Sequence, residues 1–428
     1  MAHTLVRVST LLFAVAILLT GHGLQLTLLP MRAEALGWSS GAIGATGSAY
    51  FAGFVVGCLV IPSIVAQVAH IRTFMVMAAI ATIALLGAGM FDHVPAWLVL
   101  RFATGFAFAG LYMVMESWLS EASAPERRGR VLGIYSMISL VAMMVGQTFV
   151  GLSEPGELKL FMGAACILGL AIIPIGLTRM AAPAPIPRTR FSPRVLLEVS
   201  RVAVVSSFFA GLVTGAFWAV GPLVGRGVGL DGAGVGLMMA AAIAGGALVQ
   251  FPAGRLSDRT DRRFVLAGMF VLGTVLASLG WLFSEASPGM LYLAMLFIGG
   301  MSLPVYPLCI ATAGDNSEIP LIQIASGILI VNSIGSVLGP MLVSLPMAAL
   351  GVSGFFPFVA VTMALGAVWA FYRISVVERP RVHEQRFMGV PKTSVVAAEL
   401  AETAREAELD RSEPSPERVG YARPQDST

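Results

Sequence analysis

Four side chains able to do chemistry stand inside stretches with almost no other polar residue: His22, Gln25, Arg101 and Glu116. An ionisable group kept in hydrocarbon costs at least about 2.5–3.5 kcal/mol on insertion scales, so each is a functional candidate by default. An imidazole exchanges a proton near neutral pH, whereas a guanidinium keeps its charge and offers a planar fork of donors to an oxyanion. His22 and Gln25 are three residues apart, which on a helix sets them on one face. Glu116 lies near the end of its stretch, where an ion pair with Arg127 or Arg130 competes with proton carriage. Trp218, Tyr306 and Asn332 sit in similar surroundings. Trp218 offers an aromatic wall or plain packing, and the hydroxyl and amide offer interhelical hydrogen bonds as readily as ligand contacts. Cys58, Cys166 and Cys309 fall one to a stretch, which makes neither a disulfide framework nor a metal cluster. No phosphate-cradling glycine loop is present, so no metal, nucleotide or other cofactor is expected.

The elements that must hold these residues are helices in a membrane. Runs of about twenty apolar residues recur about twelve times between Val8 and Arg373, each long enough to cross a hydrocarbon core of about 30 Å. The longest polar breaks fall from Arg179 to Arg194 and after Glu378. The chain therefore reads as an all-α membrane protein with twelve transmembrane helices in two six-helix halves. The halves are residues 1–178 and 202–377, joined by a linker at 179–201 and followed by a tail at 378–428. At 1.5 Å per residue, His22 lies roughly 12 Å below Pro30 and Arg101 roughly 9 Å below Pro95, so the two share a depth. Trp38, Trp97, Trp118, Trp281 and Trp369 fall near span ends, where tryptophan marks the membrane interface.

Composition agrees. The chain is 57% hydrophobic and only 12% charged, against about 25% charged in a soluble domain. The tail carries ten acidic and eight basic residues, so it is soluble and is expected to be disordered or to form a weak surface helix. A net charge of +3, thinly scattered, excludes a nucleic-acid partner. The even-numbered connections collect Arg127, Arg128, Arg130, Arg188, Arg190, Arg255, Arg259, Arg262 and Arg263, and the odd-numbered ones only Arg32, Lys159 and Arg226. By the positive-inside rule both termini are cytoplasmic. The first span reads as an uncleaved helix rather than a secretory signal, because no small-residue cleavage site follows it.

Pro62, Arg72 and Phe74 match Pro252, Arg262 and Phe264 at a constant offset of 190 residues, each set straddling the second and third spans of its half. Two such copies in parallel imply a pseudo-twofold axis along the membrane normal. The second copy, Gly254, Arg255, Leu256, Ser257, Asp258, Arg259, Thr260, Asp261, Arg262 and Arg263, resembles the short cytoplasmic loop signature of the major facilitator superfamily. The first copy departs from it, with Ala66 or Val68 where the aspartate should stand. Arg101, Thr104, Gly105, Ala107 and Ala109 resemble the arginine and small-residue pattern of proton-coupled facilitators. Glu116 to Leu119, Pro125 to Arg130, Gly146, Gln147 and Tyr306 to Leu308 resemble the bacterial YcaD-like subgroup.

The resemblance implies a secondary transporter of the bacterial inner membrane that moves a small molecule by alternating access, with proton coupling. It also implies that helices one, four, seven and ten line a cavity, where His22, Gln25 and Arg101 would share a polar pocket and Trp218 would face the substrate. Gly254, Asp258, Arg259, Arg262 and Arg263 would form a cytoplasmic gate, with Asp258 meeting the start of helix five near Gly129 and Arg130. The expected partners are the bilayer, an organic substrate and protons, and the chain is expected to act as a monomer. The rivals are an uncoupled facilitator and a transport-inactive sensor or scaffold, for which the missing first-half aspartate speaks.

Overall fold

The computed structural model describes residues 2–123, 128–177, 193–284, 287–315 and 321–376. The tail, most of the linker and Arg127 lie outside them. Helices account for nearly all of the described chain: α1 (Ala2–Ala35), α2 (Ser40–Val68), α3 (His70–Met90), α4 (Val94–Glu121), α5 (Arg128–Thr148), α6 (Leu158–Leu170), α7 (Ile172–Gly176), α8 (Pro193–Val199), α9 (Arg201–Gly227), α10 (Gly232–Arg259), α11 (Arg262–Phe283), α12 (Pro288–Ser302), α13 (Val305–Gly314), α14 (Leu321–Leu350) and α15 (Phe355–Val376). Several start where a short polar side chain accepts from an otherwise orphaned amide. Ser39, Ser200, Asp231 and Ser287 each take the amide three residues on.

Among the described residues, length and apolarity give eleven stretches able to cross a membrane, and the last of these, Gln323–Val376, has 54 residues. At 1.5 Å per residue that is about 80 Å, far more than one crossing needs. The stretch turns at Gly351, whose φ of 67° suits a residue without a side chain, and α15 folds back onto α9 and α11. Twelve spans result. Two of them depart from the single helices expected from the sequence. The sixth is split into α6 and α7 at Ala171, and the tenth breaks between Ser302 and Val305, where Pro304 supplies no amide to the ladder.

The two halves are built alike. In the first, α1 packs on α5 and α6, α2 on α4, and α3 on α4 and α6. In the second, the corresponding helices repeat these pairs: α9 on α14 and α15, α10 on α12, and α11 on α12 and α15. Across the halves α2 meets α14 and α5 meets α10, again as a symmetric pair. Named contacts between halves gather toward the odd-numbered connections. Ser48 donates to the Val337 carbonyl at 2.6 Å, and Glu34 at the end of α1 pairs with Arg226 at the end of α9 at 3.6 Å.

Close backbone approach governs the α2–α4 seam. A Cβ on Gly105 would lie 1.8 Å from the Tyr50 carbonyl oxygen, and one on Gly53 would lie 1.9 Å from that of Phe102. Neither atom can retreat without moving a whole helix, and small residues of this kind are what let transmembrane helices touch. Gly105→Ala should therefore lower stability by about 1–3 kcal/mol, the usual cost of overpacking. Thermal unfolding in detergent would reveal it, and an unchanged melting temperature would show that the seam is looser than described.

Two of the tryptophans near span ends are covered by protein. Trp97 and Trp118 are 1% and 0% exposed. Trp97 packs edge-on to Trp38 with centroids 5.0 Å apart and donates to the Phe91 carbonyl at 2.7 Å. Trp118 packs near His70.

The loop between α10 and α11 is a charged knot. Arg262, 1% exposed, binds Asp315 at 2.9 Å and Asp258 at 3.2 Å, and also donates to Ser257 at 3.1 Å. Asp261 caps α11 through the Arg263 amide and pairs with the Arg263 guanidinium at 2.7 Å. Gly254 is buried inside the loop's helix, whereas Arg259 is exposed. The side chains of 124–129 lie outside the described residues, and with them the contact expected between Asp258 and Gly129. The first-half loop is built differently. Ala69, with φ 69° and no capping side chain, separates α2 from α3. In place of a buried ion pair, His70 hydrogen-bonds Ser117 on α4 at 2.9 Å.

Candidate functional site

A cavity of about 200 Å³ lies at mid-length of the helices between the two halves. The first half contributes His22 and Leu26 from α1, Tyr50, Phe51 and Phe54 from α2, Tyr112 from α4, and Ser136, Ser139, Leu140 and Met143 from α5. The second half contributes Thr214 and Trp218 from α9, Ile243 and Gln250 from α10, Tyr306 and Pro307 beside the break in the tenth span, and Ser333 from α14. The broken helix matters here. An irregular backbone at membrane depth is tolerated where it borders protein or a cavity, and this one borders both.

His22 is held from two sides. The Gln25 amide nitrogen lies 2.8 Å from its Nδ1, and the Tyr50 hydroxyl lies 3.4 Å from its Nε2. If the Gln25 amide donates, Nδ1 is the acceptor and the imidazole proton sits on Nε2, pointing at Tyr50. Phe108 stacks on the ring with centroids 3.8 Å apart and leaves it little freedom to turn.

Arg101 is 4% exposed, and its guanidinium lies over the Tyr50 ring, 4.7 Å from the centroid. Among the described residues no carboxylate pairs with it, and its Nη1 is buried with no hydrogen-bond partner. A desolvated cation without a counter-ion costs several kcal/mol, so a fold that keeps one holds an electrostatic demand that something else can meet.

Of the residues singled out from the sequence, His22, Trp218 and Tyr306 line the cavity. Gln25 and Arg101 stand behind it, each in contact with a lining residue. Glu116 and Asn332 do not line it. Glu116 is fully buried and its Oε1 accepts from Tyr135 on α5 at 2.9 Å, while Arg130 is exposed. Asn332 is buried against α9, where its amide donates to the Ser207 carbonyl at 2.8 Å, an interhelical bond. Tyr50 is the residue that sequence reasoning missed. It touches both His22 and Arg101, and its only signal was a hydroxyl in the middle of a span.

Among the described residues, no three His, Cys, Asp or Glu side chains stand close enough together to hold a metal ion.

Against curated proteins, the chain is 27% identical over 317 residues to the MFS-type transporter YcaD of Salmonella arizonae, covering 73% of this chain and 82% of that one. The YcaD of Escherichia fergusonii is 26% identical over 302 residues, 70% of this chain and 78% of its own. Among solved structures, the nucleoside transporter NupG superposes with a TM-score of 0.68 at 13% identity, covering 86% of this chain and 98% of that one. A bacterial homologue of the human lysosomal transporter Spinster, inward-facing and unoccupied, gives 0.66 at 17% identity, covering 96% and 99%. At such identities the structures speak for the fold alone. The family model described as Major Facilitator Superfamily matches residues 11–202 and again 203–407, one match for each half. With the two halves repeating the same helix pairs and the curated relatives lying in the YcaD-like group, the chain belongs to the Major Facilitator Superfamily, a family of multi-pass membrane transporters.

Proposed function

We propose that this protein is a proton-coupled secondary transporter. A small organic molecule would bind in the central cavity and be exposed to either side of a bacterial inner membrane in turn. The observation that carries the reading is the cavity itself, because walls supplied by both halves close or open as the halves rock. His22 would carry the proton, since it is the one imidazole on the cavity wall, and Gln25, Tyr50 and Arg101 would set its hydrogen bonding and its field. The halves would be residues 1–178 and 202–377, with the linker at 179–201 and the tail at 378–428 in the cytoplasm, and one chain would suffice for transport. The loop of Gly254, Asp258, Arg259, Arg262 and Arg263 would gate the cytoplasmic side.

The rival, a transport-inactive scaffold, draws on the missing first-half aspartate. The bond from His70 to Ser117 weakens that argument, because it ties the start of α3 to α4 by other means.

Purified protein in liposomes with an imposed pH gradient tests the function. Accumulation of a solute that collapses with a protonophore is the expected result, and uptake indifferent to the gradient would leave only a facilitator. A reporter fused after Glu378, or near Arg188, should be active only in the cytoplasm. Periplasmic activity at either place would overturn the orientation.

A further inference from the structure

Resting on the transport reading above, we infer the substrate class: a small planar aromatic or heteroaromatic monoanion, in its simplest form an aromatic carboxylate. Size bounds it first. A dry cavity of about 150 Å³ accommodates benzene, so about 200 Å³ suits one ring with substituents, or a compact pair of rings.

The walls set the shape. His22, Tyr50, Phe51, Phe54 and Tyr112 present rings from the first half, and Trp218 and Tyr306 from the second. A space bordered by rings on both sides is filled best by a flat ligand that stacks. Because the rings belong to different halves, such a ligand would also join the halves across the cavity.

The charge sets the sign. No lining residue carries a fixed charge, and behind Tyr50 lies Arg101, buried, unpaired and with a free donor nitrogen. Aromatic faces by themselves attract cations. Here the Tyr50 face is already occupied by a guanidinium, which repels a second positive charge and attracts a negative one.

Hydrogen bonding leads to the same end. With the Gln25 amide donating to His22 Nδ1, the Nε2 proton of His22 points at the Tyr50 oxygen, and the Tyr50 hydroxyl proton is left to donate. A carboxylate can only accept, so it completes a run from Gln25 through His22 and Tyr50 to the ligand. Ser136, whose hydroxyl is buried on the cavity wall without a partner, is free to meet a ring substituent.

The test uses the whole purified protein in nanodiscs and titration calorimetry with four probes: benzoate, its neutral isostere benzamide, the cation benzylamine, and the non-planar anion cyclohexanecarboxylate. Benzoate should bind at least about tenfold more tightly than each of the others, a difference of about 1.4 kcal/mol. Arg101→Gln and Tyr50→Phe should each erase the preference over benzamide, and Arg101→Lys should keep much of it. Tyr50→Phe removes a single hydroxyl, so it still decides the matter if the Arg101 variants fail to fold. Equal or tighter binding of benzamide, benzylamine or cyclohexanecarboxylate overturns the inference, as does an absence of binding by all four. Selective benzoate binding with no counterflow in liposomes would overturn the transport reading and spare the ligand class. Counterflow of cationic or aliphatic solutes alone would do the reverse.

Discussion

His22→Ala should reduce pH-gradient-driven accumulation to that of protein-free liposomes, while gradient-free counterflow of the same solute falls by no more than a few-fold. The expectation rests on where the imidazole stands. It is the one imidazole among the lining side chains, the side-chain type suited to taking up and releasing a proton, and Phe108, Gln25 and Tyr50 hold its ring in place. A neutral His22 accepts at Nδ1 from the Gln25 amide nitrogen. A charged one must donate there, so the amide has to turn and present its oxygen, which is buried with no partner. Gln25→Leu leaves Nδ1 without its partner and should impair coupling less completely than loss of His22. Arg101→Ala should also abolish driven uptake, because the field on both His22 and substrate goes with it. Gradient-driven accumulation at wild-type level in His22→Ala would move the proton to another group.

The second large effect is on stability. Arg262→Gln should cost about 3–5 kcal/mol, the range found when one partner of a buried ion pair is removed. Arg262 is 1% exposed and binds Asp315 at 2.9 Å and Asp258 at 3.2 Å, so its loss takes one cation from two carboxylates at once. Asp315 is 5% exposed and cannot recover its hydration in place. Adding Asp315→Asn to Arg262→Gln should restore part of the loss, since the buried charge is then gone. Equilibrium unfolding of the three variants in mild detergent decides it. If Arg262→Gln unfolds at the wild-type denaturant concentration, the knot contributes nothing to stability. Among the described residues the corresponding first-half loop offers no such variant, since His70 there meets Ser117 rather than a carboxylate.

The sequence by itself determined the membrane, the helices and the repeat. A run of twenty apolar residues is a one-dimensional signal, because the hydrocarbon core fixes how long a helix must be and leaves backbone polar groups no partner outside it. The offset of 190 residues between Pro62, Arg72, Phe74 and their counterparts was equally legible, and the loop holding Asp258 and Arg262 carried its family in its residue types. The cost of burying charge singled out His22 and Arg101 before any neighbour was known.

Only the tertiary structure decided what those residues touch. Tyr50 joins His22 to Arg101 because Gly53 and Gly105 let α2 and α4 meet backbone to side, and no local pattern in a span of alternating small and aromatic residues marks one hydroxyl above another. The same holds for Glu116. Its place near a helix end was legible, whereas Tyr135 reaches its carboxylate only because α5 packs beside α4. Trp97 and Trp118 are likewise covered by packing that a span's length cannot express. Hydrophobicity along a chain reports the solvent each residue must enter, whereas the partner of a buried polar group depends on which helix faces arrive beside it, and that follows from the packing of all twelve spans together.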